Sequence, residues 1–306
     1  MAKFLDVRNK IYAVGIDIGG THITAGLVSK NGKILKKKSV KIKKDLNAVI
    51  IQIKNLVKDV SSGYEILGVG IGCPGPLDSE KGVIKFAPNL GWRNIHLKKI
   101  VQSQLKKKIE IENDAKCFAL GEIWKGEGMG IKNFVLLTLG TGVGGAIVIN
   151  GKLYKGCGSA GEIGHMVIDV NGPKCSCGRR GCLEEFVSER GIVRLAKKKL
   201  KEKGIKIPKK ISPEKIEISA KKGCPVAKEV WAETANNLKI GLANIINIFD
   251  PEKIILSGGI SKSNFLFENL RNSTEPAFFK NVKIVRSRLQ EDAGILGAAS
   301  LILHIV

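Results

Sequence analysis

Apolar positions along the chain switch between two periods, and the switches mark its elements. Residues 11–18 form a near-continuous apolar run of strand length. Gly19-Gly20-Thr21 follows as a tight turn, 22–29 reads as a second strand, and Asn31-Gly32 opens a hairpin into a third. Over 45–60 the period becomes that of a helix, with Asp45 placed to cap it. Residues 65–72 are again a strand, closed by the rigid Cys73-Pro74-Gly75-Pro76 loop. A helix over 95–106, a short strand over 109–112 and a helix over 114–125 complete this stretch.

The pattern then begins again. A strand over 134–139, a glycine turn over 140–145, a strand over 146–149 and an Asn150-Gly151 turn echo the start of the chain. A long helix over 226–248, a strand over 253–256, the Ser257-Gly258-Gly259 turn and a small-residue helix over 293–303 follow. The duplication predicts two α/β halves, with both glycine turns facing one cleft.

Composition narrows the function classes. A chain of 306 residues with 43% hydrophobic content suits two globular domains. No segment reaches the ~18 uninterrupted apolar residues of a membrane span. The first residues, Met1-Ala2-Lys3-Phe4-Leu5-Asp6, carry charge and no apolar signal core, so a cytoplasmic protein with no membrane partner is expected. The net charge of +23 reflects 51 Lys and Arg against 28 Asp and Glu. It admits two readings: a nucleic-acid surface, or solvated lysine faces beside an anionic substrate. The lysines are spread along the chain and interleave with only three Trp and three Tyr, which favours the second. The dense lysine run at 196–210 is read the same way, as a solvated helix end and loop.

Two loops carry phosphate chemistry. In Asp17-Ile18-Gly19-Gly20-Thr21 the glycines let backbone N–H groups approach an anion, and Thr21 adds a hydroxyl. Asp17 is placed to hold Mg²⁺ directly or through water. Gly140-Thr141-Gly142 repeats this chemistry in the second half. Neither loop continues as Gly-Lys-Ser/Thr into a helix, so neither is a P-loop. Each alone is equally a plain hairpin; as a pair in duplicated halves they point to nucleotide phosphates.

Glu112-Asn113-Asp114 lies where a strand meets a helix. Asp114 either caps that helix or accepts a proton from an attacking sugar hydroxyl, with Asn113 holding a neighbouring hydroxyl. Asn89 and Glu162 sit in glycine-rich surroundings, as sugar contacts or turn formers. Cys175, Cys177 and Cys182, with Gly178 and Gly181 between them and His165 ten residues upstream, match a closed tetrahedral zinc site that orders the loop carrying His165 and Glu184. Cys73, Cys117, Cys157 and Cys224 lack such spacing.

Taken in order, these segments resemble the ROK family of sugar kinases and repressors. The matching pieces are Asp17-Ile-Gly-Gly-Thr21, Gly72-Cys-Pro-Gly-Pro-Leu77, Ala87-Pro-Asn-Leu90, Glu112-Asn-Asp-Ala115, Leu139-Gly-Thr-Gly-Val-Gly-Gly145, Gly161-Glu-Ile-Gly-His-Met166, Cys175-x-Cys-Gly-Arg-Arg-Gly-Cys-Leu-Glu184 and Ile254-Ile-Leu-Ser-Gly-Gly-Ile260. The resemblance implies an actin-like (ribonuclease H-like) duplicated α/β fold. Its domains would be 1–115 plus 292–306, with the last helix packed back on the first domain, and 116–291 with the zinc loop. It implies ATP-dependent, Mg²⁺-assisted phosphorylation of a hexose at its 6-hydroxyl, glucose before N-acetylglucosamine, N-acetylmannosamine, mannose or fructose. Asp114 would be the base. Asn89, Asn113, Glu162, His165 and Glu184 would bind the sugar, with His165 serving zinc through its other ring nitrogen. Gly258 and Gly259 would join Asp17, Gly19, Gly20, Thr21, Gly140, Thr141 and Gly142 around the nucleotide. A homodimer or tetramer is implied.

The chain departs from the family pattern at His22, where Lys is usual, at Lys116, where Asn is common, and at Ala146, where Gly is frequent. A sugar-sensing repressor is the competing class. With ten residues before Ile11, a preceding helix-turn-helix domain is not expected.

Overall fold

The computed structural model describes residues 11–271 and 282–305; the charged stretch 1–6 lies outside them. In chain order the first elements are β1 (Tyr12–Ile18), β2 (His22–Ser29), β3 (Ile34–Lys41), α1 (Leu46–Ser61) and β4 (Gly68–Cys73). Then come β5 (Leu77–Asp78), β6 (Val83–Ala87), β7 (Trp92–Ile95), α2 (Leu97–Leu105), β8 (Lys108–Asn113) and α3 (Asp114–Lys125). The later part holds β9 (Phe134–Leu139), β10 (Val143–Ile149), β11 (Lys152–Leu153), α4 (Glu184–Val187), α5 (Glu189–Glu202), α6 (Pro213–Lys221) and α7 (Pro225–Phe249). It closes with β12 (Lys253–Ser257), α8 (Asn264–Arg271), β13 (Lys283–Arg286) and α9 (Asp292–Leu303).

The duplication read from the sequence is present as two five-stranded sheets of one topology. The first runs β3-β2-β1-β4-β8 and the second β11-β10-β9-β12-β13. In the first, β2 is antiparallel to β1 and to β3, whereas β4 is parallel to β1 and to β8. In the second, β11 is antiparallel to β10, and β12 is parallel to β9 and β13. This is the duplicated actin-like α/β architecture. Parallel central strands lie covered on both faces, which is why β4, Gly-Val-Gly-Ile-Gly-Cys, is buried at every position. A third, antiparallel sheet, β5-β6-β7, was not legible beforehand, because its strands are too short to show a period.

Helix α1 begins where Asp45 accepts a hydrogen bond from the Ala48 N–H at 2.8 Å. It buries Val49, Ile50, Ile53, Leu56, Val57 and Val60, a stripe at helical spacing worth on the order of 10 kcal/mol of apolar burial. Helix α9 shows a different device. Glycines on its neighbours let backbones touch: a Cβ at Gly15 of β1 would overlap the Ile295 carbonyl, one at Gly70 of β4 the Ala298 carbonyl, and one at Gly121 of α3 the Ala293 carbonyl. Gly297 of α9 answers in kind, since a Cβ there would overlap the Cys117 carbonyl.

The chain divides into two compact units. Unit 1 is Met1–Lys132, Ile147–Ala160 and Ser287–Val306; unit 2 is Asn133–Ala146 and Gly161–Arg286. The first stretch of unit 1 runs to Lys132 and so includes α3, which packs against α9. Likewise Ser287–Glu291 joins unit 1, where the Ser287 hydroxyl donates to the buried Glu122 of α3. No described helix is long and apolar enough to cross a membrane.

Candidate active site and metal centre

In unit 1 the parallel strands β1, β4 and β8 end side by side, and open α/β sheets bind ligands at such carboxyl ends. Register places Asp17 opposite Gly72, Gly72 opposite Glu112, and Cys73 opposite Asn113. Gly72 leaves room for the start of α3: a Cβ there would stand 3.3 Å from the Cys117 Sγ and 3.6 Å from the Asp114 Cα.

The capping question at this strand–helix junction is settled by geometry. Asn113 is the N-cap, its Oδ1 accepting from the Lys116 N–H at 3.2 Å. Asp114 stands in the first turn, with Oδ1 accepting from its neighbour Ala115 N–H at 2.8 Å. Asn113 Nδ2 also donates to the Gly75 carbonyl at 3.4 Å, and a Cβ at Gly75 would overlap the Phe86 carbonyl. The rigid Cys73–Pro76 loop thus links the end of β8 to β6 and the turn carrying the exposed Asn89.

Asp17 is half-buried, yet its carboxyl is raised to about 7 from an ordinary 3.8. Burial is the largest cause, the negative charges of Asp114 and Glu291 add to it, and Lys37 opposes them. The same surroundings push the Cys73 thiol well above the usual range, by burial first and then by Asp114 and Asp17. Cys117 behaves alike, by burial and then by Glu112, Asp17 and Asp114. Both thiols are fully buried and stay protonated, hence inert. The turn after β1 is tight: the Gly19 N–H donates to the His22 carbonyl at 2.9 Å, and His22 Nδ1 lies 3.1 Å from the Thr21 hydroxyl.

Two lysines tie residues 154–160 to this region: Lys116, which the sequence marked as a departure from the family pattern, and Lys155, which it did not single out. Lys116, buried, donates from Nζ to the Gly158 carbonyl at 2.7 Å. Lys155 Nζ lies 2.6 Å from Glu112 Oε2, and Glu112 Oε1 accepts from the Asn113 N–H at 3.0 Å. Glu112 is almost wholly buried, so Lys155 compensates a charge that would otherwise be costly in place. The Lys116 departure thus has a packing role.

In unit 2 the second glycine loop connects β9 to β10. A Cβ at Gly258, at φ +86, would lie 2.5 Å from the Leu139 carbonyl, so the turn after β12 presses on the loop's entrance. Gly259 is exposed at the start of the next short turn. Gly164 packs on Val143, and Gly145 lies against the Gly161 carbonyl. Glu184 reaches this loop directly, its Oε2 accepting from the Val143 N–H at 3.0 Å. That contact joins residues far apart in sequence and could not be read from spacing. Glu162 is exposed and stands before a one-turn 3-10 segment that carries His165.

His165, Cys175, Cys177 and Cys182 converge, with all four ligand atoms within 4.8 Å of one another. His165 Nδ1 lies 3.6 Å from Cys175 Sγ, and Cys177 Sγ lies 3.6 Å from Cys182 Sγ. A tetrahedron built on Zn–S of about 2.3 Å and Zn–N of about 2.0 Å has S···S and S···N edges of about 3.8 and 3.5 Å, so the residues fit zinc. The knuckle is held by the Cys175 N–H donating to the Arg179 carbonyl at 2.8 Å and by positive φ at Gly178 and Gly181. Burial raises the Cys177 thiol, but hydrogen bonds from the Arg179 backbone and from Cys175, Cys182 and the Arg179 side chain outweigh it and bring it to about 7. Cys182 goes the other way, to about 12, by burial and then by its bonds to Cys177 and Cys175. Such crowding of thiols is relieved when a divalent cation holds them all as thiolates.

The ROK family profile matches residues 13–305. A glucokinase from Thermotoga maritima is 40% identical over 96% of this chain and 98% of its own length. A xylose repressor from Caldicellulosiruptor bescii is 36% identical over 95% of this chain and 77% of its own length. Among solved structures, a ROK family glucokinase from Streptomyces griseus, in complex with glucose and AMPPNP, superposes with a TM-score of 0.85 at 32% identity, covering 95% of this chain and 98% of that one.

Proposed function

The chain belongs to the ROK family, and from that premise we propose that it is an ATP-dependent sugar kinase that phosphorylates a hexose, glucose first, at the 6-hydroxyl. One observation carries the reading: Asp17 near the end of β1 and Asp114 just after β8 lie at the same end of the sheet with only β4 between their strands, near enough for the charge of Asp114 to raise the Asp17 carboxyl. A carboxylate pair of this kind serves phosphoryl transfer in two ways. Asp114, relieved of capping by Asn113, is the group that accepts the hydroxyl proton. Asp17, crowded by negative neighbours, is a carboxylate that gains from a nearby cation.

Mg²⁺, carried by the nucleotide, would supply charge neutralisation on the transferred phosphoryl group. Gly19, Gly20, Thr21, Gly140, Thr141, Gly142, Gly258 and Gly259 are assigned to the nucleotide: the glycines let it approach the backbone, and Thr21 and Thr141 offer hydroxyls, while the Gly19 and Gly140 N–H groups close their own turns. Asn89, Asn113, Glu162, His165 and Glu184 are assigned to the sugar. Nδ1 of His165 faces the Cys175 sulfur, which leaves Nε2 for a sugar hydroxyl. Zinc, held by His165, Cys175, Cys177 and Cys182, is structural, with no ligand position left open. A cytoplasmic dimer or tetramer belongs to the same reading. The similarity to a xylose repressor favours a second one, a sugar-responsive regulator.

The test is ADP release from ATP and Mg²⁺ against glucose, mannose, fructose, N-acetylglucosamine and N-acetylmannosamine, using the wild type and Asp114→Asn. Turnover with glucose is expected, and Asp114→Asn should keep sugar binding while losing about 10²- to 10⁴-fold in kcat. Preference for another sugar reassigns the substrate. Sugar binding without turnover by the folded, zinc-loaded wild type would favour the regulator.

A further inference from the structure

We propose that Arg190 is a positioning residue for the second glycine loop, acting through Glu184. The inference rests on reading that loop as a nucleotide-phosphate site. The segment after the zinc knuckle grips the loop at two points. The Glu189 N–H donates to the Gly140 carbonyl at 2.9 Å, and Glu184 Oε2 accepts from the Val143 N–H at 3.0 Å. A Cβ at Gly142 would stand 2.6 Å from the same Glu184 oxygen, so the glycine is what admits the carboxylate.

What fixes that carboxylate is Arg190. Its guanidinium lies 2.5 Å from Glu184 Oε1 and 2.5 Å from Glu185 Oε1. The other Glu185 oxygen is 3.0 Å from Arg194, which also donates to the Glu185 backbone carbonyl. The setting explains why a bridging cation is needed. The Glu184 and Glu185 carboxylates and the Cys175 sulfur lie within 4.8 Å of one another, and the Glu185 side chain is only 3% exposed. Like charges so close and so shielded repel. A single Arg190 nitrogen, Nη2, bridges both carboxylates, so a cation of the right reach is what the joint needs, and lysine, with the charge but a shorter stem, should hold it only in part. Without Arg190, Glu184 is pushed from its neighbour and the Val143 N–H loses its acceptor. Loop and metal knuckle therefore form one continuous structure through Glu184, and Arg190 holds the joint.

The experiment uses the full zinc-loaded chain as wild type, Arg190→Ala and Arg190→Lys, and has two readouts. Arg190 is half-exposed, so the substitutions leave the core intact; unchanged zinc content and unchanged exchange at the β9 amides confirm this. Amide hydrogen exchange at Val143 should quicken about 10-fold in Arg190→Ala and less in Arg190→Lys. MgADP affinity, by calorimetry without sugar, should weaken about 3- to 10-fold in Arg190→Ala, with Lys between. Unchanged exchange at Val143 overturns the latch whatever the nucleotide does. Faster exchange with unchanged MgADP affinity overturns its role in nucleotide binding. A wild type that binds no MgADP removes the phosphate reading itself, and the exchange data still decide whether Arg190 holds the loop.

Discussion

Asp17→Asn should make the protein more stable at pH 8 while impairing its chemistry. The folded chain holds the Asp17 proton up to about pH 7, against an ordinary 3.8, through burial and then through Asp114 and Glu291. Between these two values the folded state binds a proton that the unfolded chain releases. Stability therefore falls as pH rises from about 4 to about 7, and levels off above. At about 1.36 kcal/mol per tenfold change in proton affinity, the gap sets a ceiling of about 4 kcal/mol. The half-buried carboxylate is partly screened, so about 2 kcal/mol is the working expectation. Asparagine has the same shape and no charge, and removes this cost. Urea unfolding of both proteins at pH 4.5, 6, 7 and 8 should show curves that lie closest at pH 4.5 and separate upward, the variant being the more stable. Protonation of the metal ligands at low pH affects both proteins alike and cancels in the difference. Parallel profiles would refute the electrostatic account of Asp17. Wild-type MgATP binding near pH 6.5 should also release a proton, which calorimetry in buffers of different ionisation enthalpy reads, and Asp17→Asn should not.

Cys177→Ser should remove zinc, measured by metal analysis, and lower Tm, because three remaining ligands no longer close the tetrahedron; a variant keeping full zinc would remove Cys177 from the site. Gly297→Ala should destabilise by at least about 2 kcal/mol in denaturant unfolding: the new Cβ overlaps the Cys117 carbonyl, and that overpacking exceeds the ~1 kcal/mol gained from helix propensity. A neutral or stabilising result would mean that α9 sits less tightly on α3 than its glycines indicate.

Much of this protein was legible in one dimension, for identifiable reasons. Where an element buries one stripe or both faces, its period is written in the residues, and α1, α3, α7, β1, β2 and β9 fall close to where that period put them. Asp45 caps α1 as its position suggested, because capping is a contact over three residues. The metal cluster was readable for the same reason: three of its ligands lie within eight consecutive residues, and two glycines supply the turn. The short strands β5 to β7 gave no such signal, and β13 and helix α8 were missed as well.

The sequence by itself determined the local elements, the duplication, the glycine loops and the sulfur ligands, all of which depend on neighbours a few residues apart. Tertiary structure alone decided which polar groups meet. It assigned the cap to Asn113 and not to Asp114, and through the order of β1, β4 and β8 it brought Asp114 within electrostatic reach of Asp17. It brought Glu184 to the Val143 N–H and Lys155 to Glu112, and it laid α9 against glycines on β1, β4 and α3. Such pairings follow from strand order and register, which arise when buried faces from distant parts of the chain find one another, and no local period records them.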